Sequence, residues 1–571
     1  MNQSIKTDFD KILLWFVAND PKLLVKHKTN HFHPILFLTY QGRRVRGSPS
    51  NHMYMAPIKR TTRRRKKEKM GIIKHSGDRG MRTYKESSRV VLLEPVVKES
   101  FQFGTRLAIK KACTHNYKKH LKSKREKMAN NGNANGNVWQ FKGNTATSDA
   151  AAVALRKLVF KMFRNYNLNS GKPILAPSPG DPSASPSFLT CPVAEEAVAA
   201  AARSGMANSY APSPGILKAR RAVADYLNGE LPAKLKEEDV YITGGCNQAI
   251  EIVIDSLAGN SVANILLPRP GYPHYDARAL YSCLEIRKYD LLPQKDWEID
   301  LDGLEAAADE NTVAMVLINP NNPCGNVYSY DHLNKVAEMA RKLGIVVISD
   351  EVYKHVVYGD RPFIPMGIFA SIAPVITLGS ISKGWVVPGW RIGWMAMNDP
   401  NSILKSTGVI QAIEDCLDLT PQPSLILQEA LPDILEKTPK EFFDKKIKAM
   451  RQSVEFSCER LKDIPCLFCP KKPESCSYLW VKLDTSMLVN IKNDFEFCMK
   501  LVSEESVLLI PGVALGADNW VRISIGTDAS VLDEIFDRIK TFYDRHAIRK
   551  LPNSMGLLQI YNDQEMEICF S

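Results

Sequence analysis

Short apolar runs alternate with longer segments of helical periodicity between residues 240 and 400 of this chain. The runs are four to seven residues long and are bounded by turn-forming residues, which predicts strands at 240–243 (VYIT), 264–268 (NILLP), 314–319 (AMVLIN), 346–350 (VVISD), 375–380 (VITLGS) and 391–397 (RIGWMAM). Helices are predicted between them, at 248–259 and 333–344 for example. Strands that are apolar throughout and separated by helices are typical of a mostly parallel sheet covered on both faces. We therefore expect an α/β fold with a doubly wound sheet.

The pattern changes after about residue 440. Long charged helical segments come first, followed by the apolar runs SYLWVKL, VLLIP and VRISIG and a closing helix from Asp528 to Tyr543. This order predicts a smaller α+β domain. We expect the following division: a basic extension (1–127), a flexible Asn/Gly-rich lead-in (128–149), a folded region (150–546) with a large domain (about 205–435) and a small domain (about 150–200 and 440–546), and a tail (547–571).

Positive charge is concentrated at the beginning of the chain. The 571 residues have a net charge of +13, but residues 1–127 alone contain 31 Lys and Arg against 9 Asp and Glu. The other 444 residues are mildly acidic, with a net charge of −9. A basic segment can bind phosphate backbones, yet aromatic residues are not interleaved with the basic ones as they are in stacking surfaces. We interpret residues 1–127 as a disordered or gene-model extension, with Met128 as an alternative start, and nucleic-acid binding as the less favoured interpretation.

Targeting and metal-binding patterns are weak. No apolar run approaches the roughly 20 residues that span a bilayer, and the first residues do not follow a secretory pattern. We expect a cytoplasmic protein whose 12 cysteines are mostly reduced. The cysteines at 466, 469 and 476 lack a second ligand pair at zinc-finger spacing, so we predict no metal site.

Polar side chains follow directly after several predicted strands. Asp350 ends one strand, and Ser380, Ser382 and Lys383 end or follow another. Asn322 lies in the loop after strand 314–319, and two glycines separate strand 240–243 from the next helix. In open α/β sheets, ligands bind at the carboxyl ends of the strands. The glycines allow close approach of an anion to the free amides at the helix N-terminus, so a phosphate site is expected here.

Six phrases in the region 150–546 identify a resemblance. They are ANSYAPSPGILKARRAV, TGGCNQAIE, PRPGYPHYD, NPNNPCGNV, SDEVY and SISKGWVVPGWRIGW. Each phrase alone is weak, but their order over about 70% of the chain is specific. The region resembles the fold type I aminotransferases that depend on pyridoxal 5′-phosphate (PLP), most closely the plant tyrosine/nicotianamine aminotransferase group. The resemblance implies a large domain with a mostly parallel sheet and a smaller α+β domain.

The resemblance also implies a role for each matching residue. Lys383 would bind PLP as a Schiff base and later move a proton between the substrate Cα and the cofactor. Asp350 would pair with the pyridine nitrogen, and Tyr353 would hydrogen-bond the cofactor 3′-oxygen and belong to the catalytic set. The cofactor-binding set would be Tyr210 of the partner subunit, Gly245, Cys246, Asn247, Tyr272, Asn322, Asp350, Tyr353, Ser380, Ser382, Lys383 and Arg391. The substrate-binding set would be Gly180, Asn322 and Arg522, with Arg522 on the α-carboxylate.

Two positions depart from the pattern of the family. Gly384 follows the lysine where many relatives have a basic residue, which alters the pocket edge but removes no catalytic group. Lys354 follows SDEVY where an acidic residue is common, and we expect its side chain at the surface.

The reaction and the substrates stay open at this stage. The resemblance implies a homodimer that transfers the amino group of an aromatic amino acid such as tyrosine to 2-oxoglutarate. Nicotianamine is an alternative amino donor. The same cofactor motifs also serve carbon–sulfur lyases that act on S-conjugated cysteines, because the motifs around the cofactor do not decide the fate of the carbanion.

Overall fold

The structure is a computed structural model, and it describes residues 143–167, 170–176, 181–259 and 262–548. The predictions for the basic extension and for Gly180 lie outside these residues, as do most of the lead-in and most of the tail. Helix α1 (Thr145–Ala152) begins within the last part of the predicted lead-in, where the Asn144 side chain accepts a hydrogen bond from the amide of Ala146. A side chain that accepts from a first-turn amide stabilises the start of a helix.

Within the described ranges, the larger sheet has eight strands. They are β1 (Val240–Thr243), β2 (Asn264–Arg269), β3 (Glu285–Leu292), β4 (Glu298–Ile299), β5 (Thr312–Ile318), β6 (Val346–Asp350), β7 (Val375–Ser380) and β8 (Gly393–Asn398). Their order in the sheet is β1-β8-β7-β6-β5-β2-β3-β4. The five strands from β7 to β3 in this order are parallel neighbours, whereas β8 runs antiparallel to β1 and β7, and β4 runs antiparallel to β3. The expected mostly parallel α/β sheet is confirmed.

Both faces of this sheet are covered. Along β5, Met315 and Leu317 belong to one buried cluster, and Ala314 and Val316 belong to another. Successive strand residues point to opposite faces, so a strand that is apolar at every position needs cover on both sides. Helices provide most of it: α3 (Pro192–Arg203), α4 (Leu217–Asn228), α5 (Cys246–Leu257), α6 (Pro273–Tyr281), α7 (Leu301–Ala307), α8 (Tyr330–Leu343), α9 (Ile381–Gly384), α10 (Ile403–Ser406), α11 (Val409–Leu419) and α12 (Leu425–Lys437). Helix α2 (Leu155–Phe163) precedes them in the chain.

The predicted strands differ from the observed ones at several places. The ends of β2 and β5 differ by one or two residues from the predicted bounds, and the two-residue strand β4 was not predicted. Strand β3 was not predicted, because its sequence EIRKYDLL is half polar and its first residues are partly exposed near the sheet edge. The strand predicted from residue 391 begins at Gly393, because Arg391 adopts a left-handed backbone conformation (φ 54°) that ends a short turn before the strand.

The C-terminal part forms a second sheet of four antiparallel strands. They are β9 (Leu467–Phe468), β10 (Tyr478–Leu483), β11 (Ile510–Pro511) and β12 (Trp520–Ser524), in the order β11-β12-β10-β9. The helices of this part are α13 (Lys440–Leu461), α14 (Asp494–Glu505) and α15 (Ala529–His546). The N-terminal segment joins it, since Leu175 forms a parallel bridge with Val507. The described residues contain no helix with the length and apolar character needed to cross a membrane.

Candidate active site

The carboxyl ends of β1, β5, β6 and β7 border one cavity of about 680 Å³. These ends meet at one edge because β5, β6 and β7 are parallel neighbours and β1 is joined to β7 through β8. Eleven of the predicted site residues line the cavity: Cys246, Asn247, Tyr272, Asn322, Asp350, Tyr353, Ser380, Ser382, Lys383, Arg391 and Arg522. The fold thus brings together residues that are up to 276 positions apart in the chain.

Asp350 provides a buried carboxylate at the end of β6. It is 4% exposed and accepts hydrogen bonds from the Tyr275 hydroxyl (3.1 Å) and the Val352 amide (3.3 Å). Burial raises the pKa of Asp350 to about 6, although these two donors, the Cys246 thiol and the charge of Lys383 oppose that shift. Removing a carboxylate from water disfavours its charged form. A cationic group presented to Asp350 would therefore bind favourably.

An anion cradle lies beside this carboxylate. Helix α5 begins at Cys246, directly after Gly245. The amides of its first turn have no acceptor within the helix, and this end of the helix lies at the cavity. The buried hydroxyl groups of Ser380 and Ser382 line the same cavity, which the guanidinium of Arg391 borders as well. Arg391 is held by hydrogen bonds from Nη1 to the Pro388 carbonyl (2.8 Å) and from Nη2 to the Gly244 carbonyl (2.9 Å).

Gly245 is required for the shape of the cradle. Its φ is +86°, in the left-handed region that favours glycine. A Cβ at this position would lie 2.8 Å from Cζ of Arg391. Hydroxyl groups, helix amides and an arginine are the donors that bind phosphate groups in proteins. The cradle therefore fits a phosphate.

Lys383 lies in the first turn after β7, within helix α9. Its Nζ is 5.9 Å from the centre of the Tyr353 ring. The Tyr353 hydroxyl is buried and forms a 2.7 Å hydrogen bond with the hydroxyl of Tyr478. A primary amine, a phenol and a buried carboxylate thus border the same cavity.

Arg522 is a nearly fully buried cation on β12. The residue is 1% exposed, and its Nη1 donates to Oδ1 of Asn322 at 2.9 Å. Its Nε and Nη2 are buried and have no hydrogen-bond acceptor among the described residues. Burying a guanidinium without an anionic partner is costly. A carboxylate from a ligand would accept hydrogen bonds from both nitrogens, as arginine–carboxylate pairs commonly do.

Three predicted site residues are not among the residues that line this cavity. One is Gly245, which directly precedes the lining residue Cys246. Tyr210 is 96% exposed and lies outside the cavity of its own chain. Gly180 falls in the segment 177–180, outside the described residues. The role expected for Tyr210 is one toward a partner subunit, so it stays a prediction.

The structure adds residues that the sequence did not indicate. Tyr478 lines the cavity from β10, and Tyr275 holds Asp350 from helix α6. Leu155, Val159 and Phe163 of helix α2 form an apolar wall of the cavity. No sequence pattern pointed to them, because aromatic and aliphatic residues on a helix or strand are usually core residues.

The expectation that Lys354 lies at the surface is wrong. Its side chain is only 11% exposed, with Nζ 3.4 Å from Glu230 and 4.2 Å from the centre of the Tyr226 ring. The carboxylate and the aromatic ring compensate the burial of the ammonium group. Gly384 is the other position that departs from the pattern of the family. A Cβ on Gly384 would lie 3.1 Å from Cδ2 of His355, so the glycine leaves space for this imidazole.

The described residues contain no cluster of three or more His, Cys, Asp or Glu side chains arranged to hold a metal ion. The cysteines at 466, 469 and 476 are free thiols. Cys466 and Cys476 are buried, and Cys469 is partly buried, with its Sγ 3.1 Å from the Lys471 carbonyl.

Comparisons with known proteins agree with this geometry. Residues 178–539 match the model of the family described as aminotransferase class I and II. A protein of Arabidopsis thaliana named probable aminotransferase is 84% identical over 74% of this chain and 96% of its own length. An S-alkyl-thiohydroximate lyase of the same plant is 58% identical over 75% and 92%. Nicotianamine aminotransferase A of Hordeum vulgare is 48% identical over 72% and 89%.

The crystal structure of tyrosine aminotransferase from Leishmania infantum superposes with a TM-score of 0.65 at 29% identity, covering 72% of this chain and all of that one. Together, the family match and the identities show that this chain belongs to the aminotransferase class I and II family.

Proposed function

We propose that this protein is a PLP-dependent aminotransferase that moves the amino group of an aromatic amino acid to a 2-oxo acid such as 2-oxoglutarate. The observation that carries the proposal is the joint placement of Lys383, Asp350 and the anion cradle on one cavity. The family match supports the same reaction.

The residues present fit PLP. Ser380, Ser382, Arg391 and the amides of Gly245 and Cys246 would bind its phosphate, with Asn247 beside them. Asp350 would pair with the ring nitrogen, a role favoured by its buried position and raised pKa. Tyr272 would stack on the ring, and Asn322 and Tyr353 would bind the 3′-oxygen. When bound, PLP supplies an aldehyde and an electron-withdrawing ring that together make the substrate Cα–H acidic.

The chain's own side chains then perform positioning and proton transfer. Lys383 would hold the cofactor covalently until a substrate amine displaces its Nζ, and the released amine would take the proton from the substrate Cα. Arg522 would bind the substrate α-carboxylate, because two of its buried nitrogens need an anionic acceptor. Asp350, as an anion, would keep the ring nitrogen protonated. The expected role of Gly180 is to lie near the substrate.

An aromatic side chain is favoured by the wall of helix α2. Leu155, Val159 and Phe163 give the cavity apolar surface that suits an aromatic ring, next to Arg156 of the same helix. The solved relative from Leishmania infantum is named a tyrosine aminotransferase, which supports the same substrate class. We further propose a cytoplasmic homodimer in which Tyr210, exposed in the single chain, reaches the phosphate site of the partner subunit.

Carbon–sulfur cleavage is the second candidate, since a relative 58% identical is named a lyase. Nicotianamine is a further candidate substrate, because another relative is named for it. Incubation with tyrosine and 2-oxoglutarate, and separately with an S-alkyl cysteine, separates the reactions. Transamination predicts glutamate formation that requires the 2-oxo acid. Release of pyruvate from the S-alkyl cysteine without any 2-oxo acid would favour the lyase.

The cofactor proposal is tested by spectroscopy of the purified protein. We expect a visible absorbance band after incubation with PLP, and its loss in Lys383→Ala. Lys405→Ala serves as the control, because Lys405 is an exposed lysine in helix α10. A protein that neither retains PLP after gel filtration nor changes its absorbance would contradict the proposal.

A further inference from the structure

Tyr478 contacts two groups of the proposed site with two different parts of its side chain. Its hydroxyl forms the 2.7 Å hydrogen bond with the Tyr353 hydroxyl. Its ring lies against Arg522, with the guanidinium carbon 4.0 Å from the ring centre. The residue is 2% exposed, so both contacts are shielded from water. Neither contact was indicated by the sequence.

The register of the smaller sheet explains the ring contact. Tyr478 pairs with Ser524, and Trp480 pairs with Arg522, in antiparallel strands β10 and β12. Residues two apart on a strand point to the same face, so Tyr478 and Arg522 are diagonal neighbours on one face of the sheet. A guanidinium over an aromatic face is attracted by the ring quadrupole, more strongly when both groups are desolvated.

The ring contact also orients the guanidinium. Nη1 of Arg522 is engaged by Asn322, while the face of the guanidinium rests on the Tyr478 ring. The buried Nε and Nη2 remain available for a ligand carboxylate. With one nitrogen and one face fixed, the arginine is oriented before the ligand arrives, which reduces the entropy lost on binding.

The hydroxyl contact acts on a different group. Each phenol can donate only one hydrogen. If Tyr353 donates to the cofactor 3′-oxygen, as the proposed function requires, its own oxygen must accept the hydrogen of Tyr478. Two hydroxyls in series polarise each other, so the Tyr478 hydroxyl strengthens the donation by Tyr353.

We propose that Tyr478 is a positioning residue that strengthens the Tyr353 hydrogen bond through its hydroxyl and orients Arg522 for a carboxylate through its ring. The inference rests on the proposed function. It extends that function by assigning separable roles to two parts of one side chain.

Tyr478→Phe removes the hydroxyl and keeps the ring. The first readout is the pH titration of the absorbance of the cofactor bound to the protein, without substrate. Donation by Tyr353 stabilises the negative charge on the 3′-oxygen and therefore the deprotonated form of the lysine-bound cofactor. Weaker donation should raise the titration midpoint by about 0.5 pH unit, which is of the order of one modest hydrogen bond. Tyr353→Phe should shift the midpoint in the same direction and further.

The second readout is the dissociation constant of 3-phenylpropanoate, a carboxylate without an amino group to react. Tyr478→Phe should leave it within about twofold of the wild-type value, because the cation–π contact remains. Tyr478→Met, which removes the ring, should weaken binding about fivefold or more. If Tyr478→Met does not fold, pentafluorophenylalanine at position 478 replaces it, because fluorination reverses the ring quadrupole at similar size.

Tyr358→Phe is the matched control. Tyr358 is another buried tyrosine of the same region, whose hydroxyl donates to the Ser475 carbonyl at 2.6 Å, and it does not line the cavity. It should change neither readout. A midpoint for Tyr478→Phe equal to that of Tyr358→Phe would overturn the role of the hydroxyl. Equal binding of 3-phenylpropanoate by the wild type and the variants without an electron-rich ring would overturn the role of the ring. A wild-type protein that binds no PLP would instead refute the proposed function itself.

Discussion

Replacing Asp350 by asparagine should stabilise the cofactor-free protein while weakening its affinity for PLP. Burial raises the pKa of Asp350 from 3.8 to about 6. Because the folded-state pKa lies above the unfolded value, the folded protein holds the extra proton between about pH 4 and 6. The contribution of Asp350 to the free energy of unfolding is therefore most favourable below about pH 4. This contribution is lost as the pH rises through about 6.

The magnitude follows from the size of this shift. A shift of about two pKa units corresponds to about 3 kcal/mol at pH 8. The introduced asparagine would carry no charge, while its Oδ1 could still accept from Val352 and its Nδ2 could donate to the Tyr275 oxygen. The free energy of unfolding of the variant at pH 8 should therefore exceed that of the wild type by most of this amount. For a folded region of this size, that difference corresponds to a rise of about 3 °C in Tm.

The assay is thermal unfolding of the cofactor-free proteins at pH 4 and pH 8, followed by PLP titration. We expect Asp350→Asn to be more stable than the wild type at pH 8 and equal to it at pH 4. Its affinity for PLP should fall about 100-fold or more, since the ring nitrogen loses a buried ionic partner. Asp360→Asn, at an exposed position, should change neither quantity. An Asp350→Asn protein that is less stable than the wild type at pH 8 would refute the reasoning.

Three further predictions concern substitutions of single residues. Arg522→Lys should raise KM for amino acid substrates about 100-fold and leave the absorbance of bound cofactor unchanged, because lysine cannot form the bidentate pair. Gly245→Ala should weaken PLP affinity at least about tenfold, whereas Gly408→Ala, with a similar φ of +80° but open space around it, should lose stability without losing affinity. Lys446→Met should raise Tm more at pH 7 than at pH 10. Burial lowers the pKa of Lys446 to about 7, so the wild type regains stability as the pH rises from there toward the pKa of lysine in the unfolded chain. The Nζ of Lys446 also donates to the Gly384 carbonyl, and equal Tm differences at both pH values would show that the loss of this hydrogen bond dominates instead.

Much of the larger sheet was predictable because its buried strands are apolar at nearly every position. Strands β1, β6 and β7 have the predicted bounds. The polar residues that end β6 and β7 could be assigned to one site, because parallel strands place their carboxyl ends at one edge. Strand β3 is not predicted by its sequence, because a strand near the sheet edge with one partly exposed face needs few apolar residues.

The residues that support the site could not be predicted in the same way. Tyr275 and Tyr478 reach the cavity from a helix and from the second sheet, and their contacts depend on the packing of distant segments. The sequence predicts a surface position for Lys354, because lysine is rarely buried. Its partners Tyr226 and Glu230 lie more than 120 residues away in the chain, so no local pattern indicated the compensating contacts.

Reduction of the PLP-loaded protein with borohydride, followed by proteolysis and mass spectrometry, tests the central claim most directly. Reduction fixes a lysine-bound aldehyde cofactor to its nitrogen as a stable amine. The account predicts a pyridoxyl phosphate group on the peptide that contains Lys383, in about one copy per chain. Label on another lysine such as Lys446, or label spread over exposed lysines with none on Lys383, would contradict it.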